Sequence, residues 1–193
     1  MDVLPAAHKS VTSANRAPIS IRAAEPTDAA AISALIGSYG VFEGTLQTPH
    51  AAVASRVERF SKIDPYGLSL VAVTQDSANT ELVVGQAGLF MAHTSLRRLH
   101  VRGLGMAVAK DWQGRGVGSQ LLGAVTDWAD NWAHVLRLEL TVFADNTRAI
   151  GVYQRHGFVK EGHMTGHALR DGMYVDAWAM ARLHPKPPVL PVR

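Results

Sequence analysis

The apolar positions change period several times along the chain, and each change marks an element. Ile19 to Arg22 alternates as a strand. Pro26, Thr27 and Asp28 then supply helix start signals ahead of Ile32, Leu35 and Ile36, which share one face, and Gly37 and Gly40 end the run. A weaker helical pattern covers Ala51 to Phe60 after a break at Pro49. Leu68 to Thr74 and Glu81 to Met91 are rich in Val and Leu, with the polar run Gln75 to Thr80 between them, and predict an antiparallel hairpin. The next strand runs from Leu99 to Ala109, where Gly103 and Gly105 imply a bulge or the close approach of another group.

After Asp111 the period moves to between three and four. Val117, Leu121, Val125, Trp128 and Trp132 fall on one helix face, which assigns both tryptophans to the core. Leu136 to Phe143 reads as a strand, Asn146 to His156 as a short helix with Gly157 as its C-cap, and Phe158 onward as a strand again. Arg170, Asp171 and Gly172 turn the chain into a last strand, Tyr174 to Leu183. The segment 1–18 lacks the charged start and apolar core of a secretory signal, and four prolines crowd 184–193. The pattern therefore predicts flexible tails at 1–18 and 184–193 around one folded unit, 19–183.

Composition narrows the function classes. With 193 residues and 47% hydrophobic content the chain can build one core, and no apolar run approaches the roughly 18 residues of a membrane span. The absence of cysteine excludes a disulfide scaffold, a zinc finger and a thiol nucleophile together. A formal charge of +3, with arginines scattered and only Arg97 and Arg98 adjacent, does not make a nucleic-acid stripe. The nine histidines show no HExxH spacing. His163 and His167 are four apart, but a strand puts both on one face of an exposed hairpin, so no metal is expected. These points predict a cytoplasmic protein with no membrane and no nucleic-acid partner.

The chemistry is concentrated where a strand passes through a glycine-rich loop into a helix, over Val108 to Gly118. Glycines let backbone N–H groups approach phosphate oxygens, and a helix start favours negative charge. The loop is not a P-loop, because no Lys followed by Ser or Thr closes it, and the dinucleotide fingerprint is absent too. Gln113, Gly116 and Gly118 instead give Gln-x-x-Gly-x-Gly, which resembles the acetyl-CoA loop of the GNAT superfamily of N-acetyltransferases. Asn146, Ala149, Tyr153, Gly157 and Phe158 stand at the spacings of that superfamily's second signature. The runs Thr45 to His50, Ala168 to Gly172, Tyr174 to Asp176 and Met180 to Arg182 resemble a bacterial subgroup that includes L-amino acid N-acetyltransferases.

The resemblance implies an α/β (α+β) fold: a mostly antiparallel mixed sheet of six to seven strands, splayed centrally and flanked by about four helices. It implies direct transfer of acetyl from acetyl-CoA to a primary amine of a small substrate, most simply a free L-amino acid, without metal. A protein N-terminus as acceptor, or a catalytically silent acyl-CoA-binding regulator, are the rival readings. Homodimerisation is expected from family habit. Met106, Ala107 and Val108 would pair with the pantetheine arm. Gln113, Gly114, Arg115, Gly116, Val117, Gly118 and Ser119 would hold the pyrophosphate, and Asn146 would contact the pantetheine or diphosphate region or serve only as an N-cap. Tyr153 would protonate the leaving thiolate or serve only as packing, and a backbone N–H near Val108, exposed by a strand bulge, would hold the oxyanion. Glu43, Gln47 and Tyr174 are the candidate acceptor contacts. No general base is nominated. His100, Glu43 and Glu139 each have a plausible structural role, and ordered water or an already neutral amine would serve equally.

Overall fold

Leu, Val and Ala fill the buried positions of the central strands among seven: β1 (Ser20–Ala23), β2 (Leu68–Gln75), β3 (Glu81–Met91), β4 (Val101–Val108), β5 (Arg137–Phe143), β6 (Val159–Arg170) and β7 (Met173–Leu183). In this computed structural model, which describes residues 18–48, 50, 52–61 and 64–191, they form one sheet in the order β1-β2-β3-β4-β5-β7-β6. Four α-helices flank it: α1 (Ala29–Ile36), α2 (Val53–Ser61), α3 (Val117–Asn131) and α4 (Thr147–Arg155). The break read at Pro49 and the tail read at 1–18, apart from Pro18, lie outside the described residues, as do 192–193. The last strand ends at Leu183, but His184 is still held: its N–H donates to the Leu136 carbonyl at 2.9 Å and its Nε2 lies 2.9 Å from the Asp130 carbonyl. No described helix is long and apolar enough to cross a membrane.

Every strand pair is antiparallel except β4 with β5. That parallel pairing covers only Val101–Gly103 against Arg137–Glu139. Each face of the sheet has its own core. Val117, Leu121, Leu122, Val125 and Ala129 of α3 pack with Ile150 and Tyr153 of α4 and with Leu138, Leu140 and Met180 of the sheet. On the other face Ile32, Leu35 and Ile36 of α1 meet Val71, Val73 and Ala107. A fully buried Leu such as Leu121 contributes about 2 kcal/mol of apolar transfer. Between β6 and β7, Asp171 (φ 50°) and Gly172 (φ 78°) both take left-handed backbone, the two-residue turn whose twist matches the flanking strands.

Several expectations are corrected. Trp132 is 79% exposed: α3 ends at Asn131, and Trp132 takes non-helical backbone (φ −126°, ψ −17°), so the helical period no longer applies to it. Trp128 does pack against the core. β4 begins at Val101 rather than Leu99, because Leu96–Arg98 forms a 3-10 turn. Its register with β3 is continuous, so no bulge exposes Val108. Of the two readings of Gly103, close approach is the one realised: a Cβ there would sit 2.4 Å from the Phe90 ring. Irregularities occur instead in β2–β3 at Ala72/Val73 and in β6–β7 at Lys160/Gly162 and Met164/Ala168. The last of these separates His163 from His167: His163 Nε2 meets Asp176 Oδ2 at 3.2 Å, while His167 Nε2 is buried without a partner. Among the described residues no group of three His, Asp or Glu could hold a metal ion.

The start of α1 is fixed electrostatically. Asp28, 8% exposed, accepts from Arg22 Nη1 at 2.7 Å and Nη2 at 2.9 Å, and from the Glu25 N–H at 2.8 Å. The Arg22 hydrogen bonds hold the Asp28 carboxyl below its ordinary value. A carboxyl depressed on folding stabilises fully above its unfolded pKa, and the gain is lost as pH falls through the folded value. Asp28→Asn should therefore cost about 2 kcal/mol at neutral pH. The deficit should shrink as pH falls below the carboxylate range, as urea unfolding at several pH values would measure.

Candidate active site

The site follows from where β4 and β5 part. The His100 carbonyl accepts from the N–H groups of Leu136 at 2.9 Å and Arg137 at 3.2 Å, so it points toward β5. The Ala109 N–H donates to the Val84 carbonyl at 2.9 Å, so it points toward β3. Strand alternation then turns the backbone groups of Met106 and Val108 toward β5, beyond the last residue pair that β5 supplies. The resulting cleft has a volume of about 670 Å³ and is walled by β4, β5, α4, the start of α3 and the loop from Gly40 to Leu46. Buried backbone polar groups must find partners, so this edge is built to receive an extended ligand.

At the wide end the glycine-rich loop enters α3. Gly114 (φ +74°) and Gly116 (φ +86°) use left-handed backbone that side chains disfavour, and a Cβ at either would meet nothing within 4 Å. No side chain caps α3, and Gln120 N–H bonds back to the Gly116 carbonyl at 3.0 Å. The preceding amides, through Ser119, have no intrahelical acceptor. Val117 contributes its backbone here while its side chain is 1% exposed in the core. Arg115 stacks over the Trp112 ring at 5.1 Å. Ser119 Oγ lies 3.4 Å from His156 Nε2, and His156 Nδ1 lies 3.0 Å from the Val152 carbonyl.

Gln113 is the most connected residue of the loop. Its Nε2 donates to the carbonyls of Gly40 and Val108, both at 3.1 Å, and its Oε1 accepts from Arg148 Nη1 at 3.0 Å. Asn146 caps α4 by accepting from the Ala149 N–H at 3.1 Å, and it also lines the cleft. Tyr153 faces the same cleft from α4, with only 7% of its surface exposed and its ring tilted on Phe158 at 5.7 Å. Burial disfavours the phenolate and pushes its pKa up to about 12. Packing and access to the cleft thus coexist in this one residue.

The candidate acceptor contacts and bases are not gathered there. Glu43 Oε2 accepts from the Gly40 N–H at 2.7 Å, and the Gln47 N–H donates to Thr45 Oγ1 at 3.1 Å. Tyr174 is 75% exposed. None of the three lines the cleft. Glu139 is paired with Arg98 and with Arg137 Nε at 3.0 Å, and His100 precedes β4. The walls instead include Gly40, Leu46, Phe90 and Arg148, which sequence reasoning did not assign to a site. Arg148 is one of the variable positions in the Asn-x-x-Ala spacing.

Comparison with known proteins agrees with this architecture. The sequence model of the Acetyltransferase (GNAT) family matches residues 41–158. The chain is 39% identical over 165 residues to the L-amino acid N-acetyltransferase AaaT of Escherichia coli K12, covering 86% of this chain and 98% of that protein. A GNAT-family acetyltransferase from Streptococcus pneumoniae superposes with a TM-score of 0.68 at 27% identity, over 86% of this chain and 99% of that one. A phosphinothricin acetyltransferase from Sinorhizobium meliloti, solved in complex with acetyl-CoA, superposes with a TM-score of 0.74 at 19% identity, over 88% and 93%. A family match over more than half of the chain, and a relative this similar along almost its whole length, make the chain a member of the GNAT family of acetyltransferases.

Proposed function

We propose that the protein transfers the acetyl group of acetyl-CoA to the α-amine of a free L-amino acid in the cytoplasm. The observation that carries the transfer is the open β4 edge facing Tyr153 across one cleft. Met106 and Val108 offer alternating donors and acceptors to the amide-bearing pantetheine arm. The amides of the glycine-rich loop and Arg115 hold the diphosphate. A backbone N–H at the β4 edge near Val108 stabilises the oxyanion as the amine attacks the thioester carbon. The new N–C bond forms, the C–S bond breaks, and the Tyr153 hydroxyl gives its proton to the departing sulfur. A phenol pKa near 12 keeps Tyr153 protonated and able to donate; because an ordinary thiol is near 8.5, the transfer to the thiolate is uphill on its own and proceeds only as the C–S bond breaks and the tyrosinate regains a proton from water.

Two observations support a free amino acid as acceptor. The relative with 39% identity is named for that activity. Among the described residues lining the cleft the charged ones are Arg148 and Arg155, with no carboxylate. A polyamine would find no counter-charge on those walls, whereas an acceptor that carries its own carboxylate meets no like charge there. The same lining offers no Asp, Glu or His as base, so the amine loses its proton to water.

Three outcomes test the reading. Incubation with acetyl-CoA and a panel of free amino acids, polyamines and short peptides, read by thiol release, should give turnover with amino acids; turnover confined to polyamines or peptides would overturn the acceptor. The pH profile of kcat/KM should climb with the free-amine fraction of each acceptor and move when the acceptor is changed. It should not fall on the alkaline side until Tyr153 ionises near 12, because a general acid with a raised pKa stays protonated longer.

Tyr153→Phe keeps the ring on Phe158 and removes the proton, so kcat should fall by about 10² to 10⁴ with CoA affinity and melting temperature nearly unchanged. In the loop, a Cβ on Gly118 would touch Met106 Cε at 3.4 Å and Val108 Cγ2 at 3.8 Å, ordinary contacts. Gly118→Ala should therefore bind CoA nearly as the parent does, while Gly118→Leu should lose at least about tenfold in affinity by calorimetry, since its side chain fills the phosphate approach.

A further inference from the structure

Arg148 is a cation in the first turn of α4, where the helix dipole disfavours positive charge. It lines the cleft, and among the described residues no carboxylate pairs with it; its partner is the neutral Oε1 of Gln113. Gln113 in turn uses both amide hydrogens, one on the Gly40 carbonyl and one on the Val108 carbonyl. The Val108 carbonyl belongs to the edge that β5 leaves open, where an extended arm would seek an acceptor.

We propose that the Gln113 carboxamide stands in for the coenzyme's own amide on Val108, and that its displacement releases Arg148 to bind the coenzyme's diphosphate. This rests on the acetyl-CoA reading of the cleft. Arg148 is one hydrogen bond away from Gln113, the residue that opens the phosphate loop, and lines the same cleft as Gly114, Gly116, Gly118 and Ser119. A guanidinium fork matches two anionic oxygens at once. The exchange has a direction. At Val108 one amide donor replaces another, which is nearly neutral. At Arg148 a carboxamide oxygen is replaced by charged oxygens, whose hydrogen bonds are roughly twice as strong. The clasp therefore satisfies the edge and the cation in the free protein: a ligand amide displaces its carboxamide end at Val108, and only an anion engages the Arg148 guanidinium.

The test compares CoA with pantetheine, which has the amides but no phosphate, by calorimetry on the purified full chain. Arg148→Ala should weaken CoA roughly tenfold, what one charge-assisted hydrogen bond at a wet rim contributes, and leave pantetheine unchanged. Arg148→Lys, which keeps the charge, should recover part of the loss. By NMR, the Gln113 side-chain amide signal, identified by its disappearance in Gln113→Leu, should shift with either ligand, and the Arg148 Nε signal only with CoA. Equal weakening of CoA and pantetheine would show that Arg148 acts through packing and overturn the proposal. So would an unchanged CoA affinity with a raised KM for the acceptor, which would assign Arg148 to the acceptor's carboxylate. A parent protein that binds neither ligand would instead overturn the acetyl-CoA reading itself.

Discussion

Three residue pairs hold β4 to β5, and everything functional depends on their stopping there. A parallel pair inside a sheet ordinarily continues until both strands end, because each unpaired backbone group in a buried setting costs about as much as a lost hydrogen bond. Here the strands diverge after Gly103 and Glu139, and the groups at Met106 and Val108 are left facing a cleft. The rest of the molecule keeps that opening from closing. β3 pairs with β4 along its other edge without interruption, and β7 does the same for β5. Each half of the sheet is therefore complete without the other. α3 and α4 cover the split from one face, and the glycine-rich loop crosses its wide end.

How far this was legible depends on the range over which each feature is encoded. The glycine-rich loop and the α4 signature are local: Gln113, Gly116, Gly118, Asn146 and Tyr153 lie within two short stretches whose spacing reflects nearby backbone needs. The strands were legible because Val and Leu alternate along them. Trp132 was misplaced because its spacing continues the apolar stripe one residue past the end of α3. The opposite wall was not legible. Gly40, Leu46 and Phe90 reach the cleft only through the tertiary path of the loop after α1 and the far end of β3, and no local pattern encodes that meeting. The Gln113 clasp is of the same kind, joining positions 73 and 35 residues apart.

Electrostatics sorts the charges into two populations. Several away from the cleft are paired with carboxylates: Arg22 with Asp28, Arg170 with Asp145, and Arg182 with Asp130 through Nη1 at 2.8 Å and Nη2 at 2.6 Å. The Arg182–Asp130 pair is mostly buried, and Arg182 Nε also donates to the His156 carbonyl at 3.1 Å, which ties β7 to the ends of α3 and α4. Arg115 and Arg148, at the loop, have an indole face and a carboxamide as partners instead. The carboxylate pairs fasten elements together, whereas among the described residues neither arginine at the loop has its charge matched by a carboxylate.

The broken register between β6 and β7 has a consequence for the molecule among its neighbours. β6 is the outer strand at its end of the sheet, twelve residues long, with Val159 and Leu169 exposed. A flat edge of that length would be a template for another chain to add a strand, the first step of aggregation. Its pairing with β7 is interrupted at Lys160/Gly162 and again at Met164/Ala168, leaving regular runs of two, three and three residues. An incoming strand would have to break step at the same two places, so the irregular border opposes strand addition along a long, partly apolar edge.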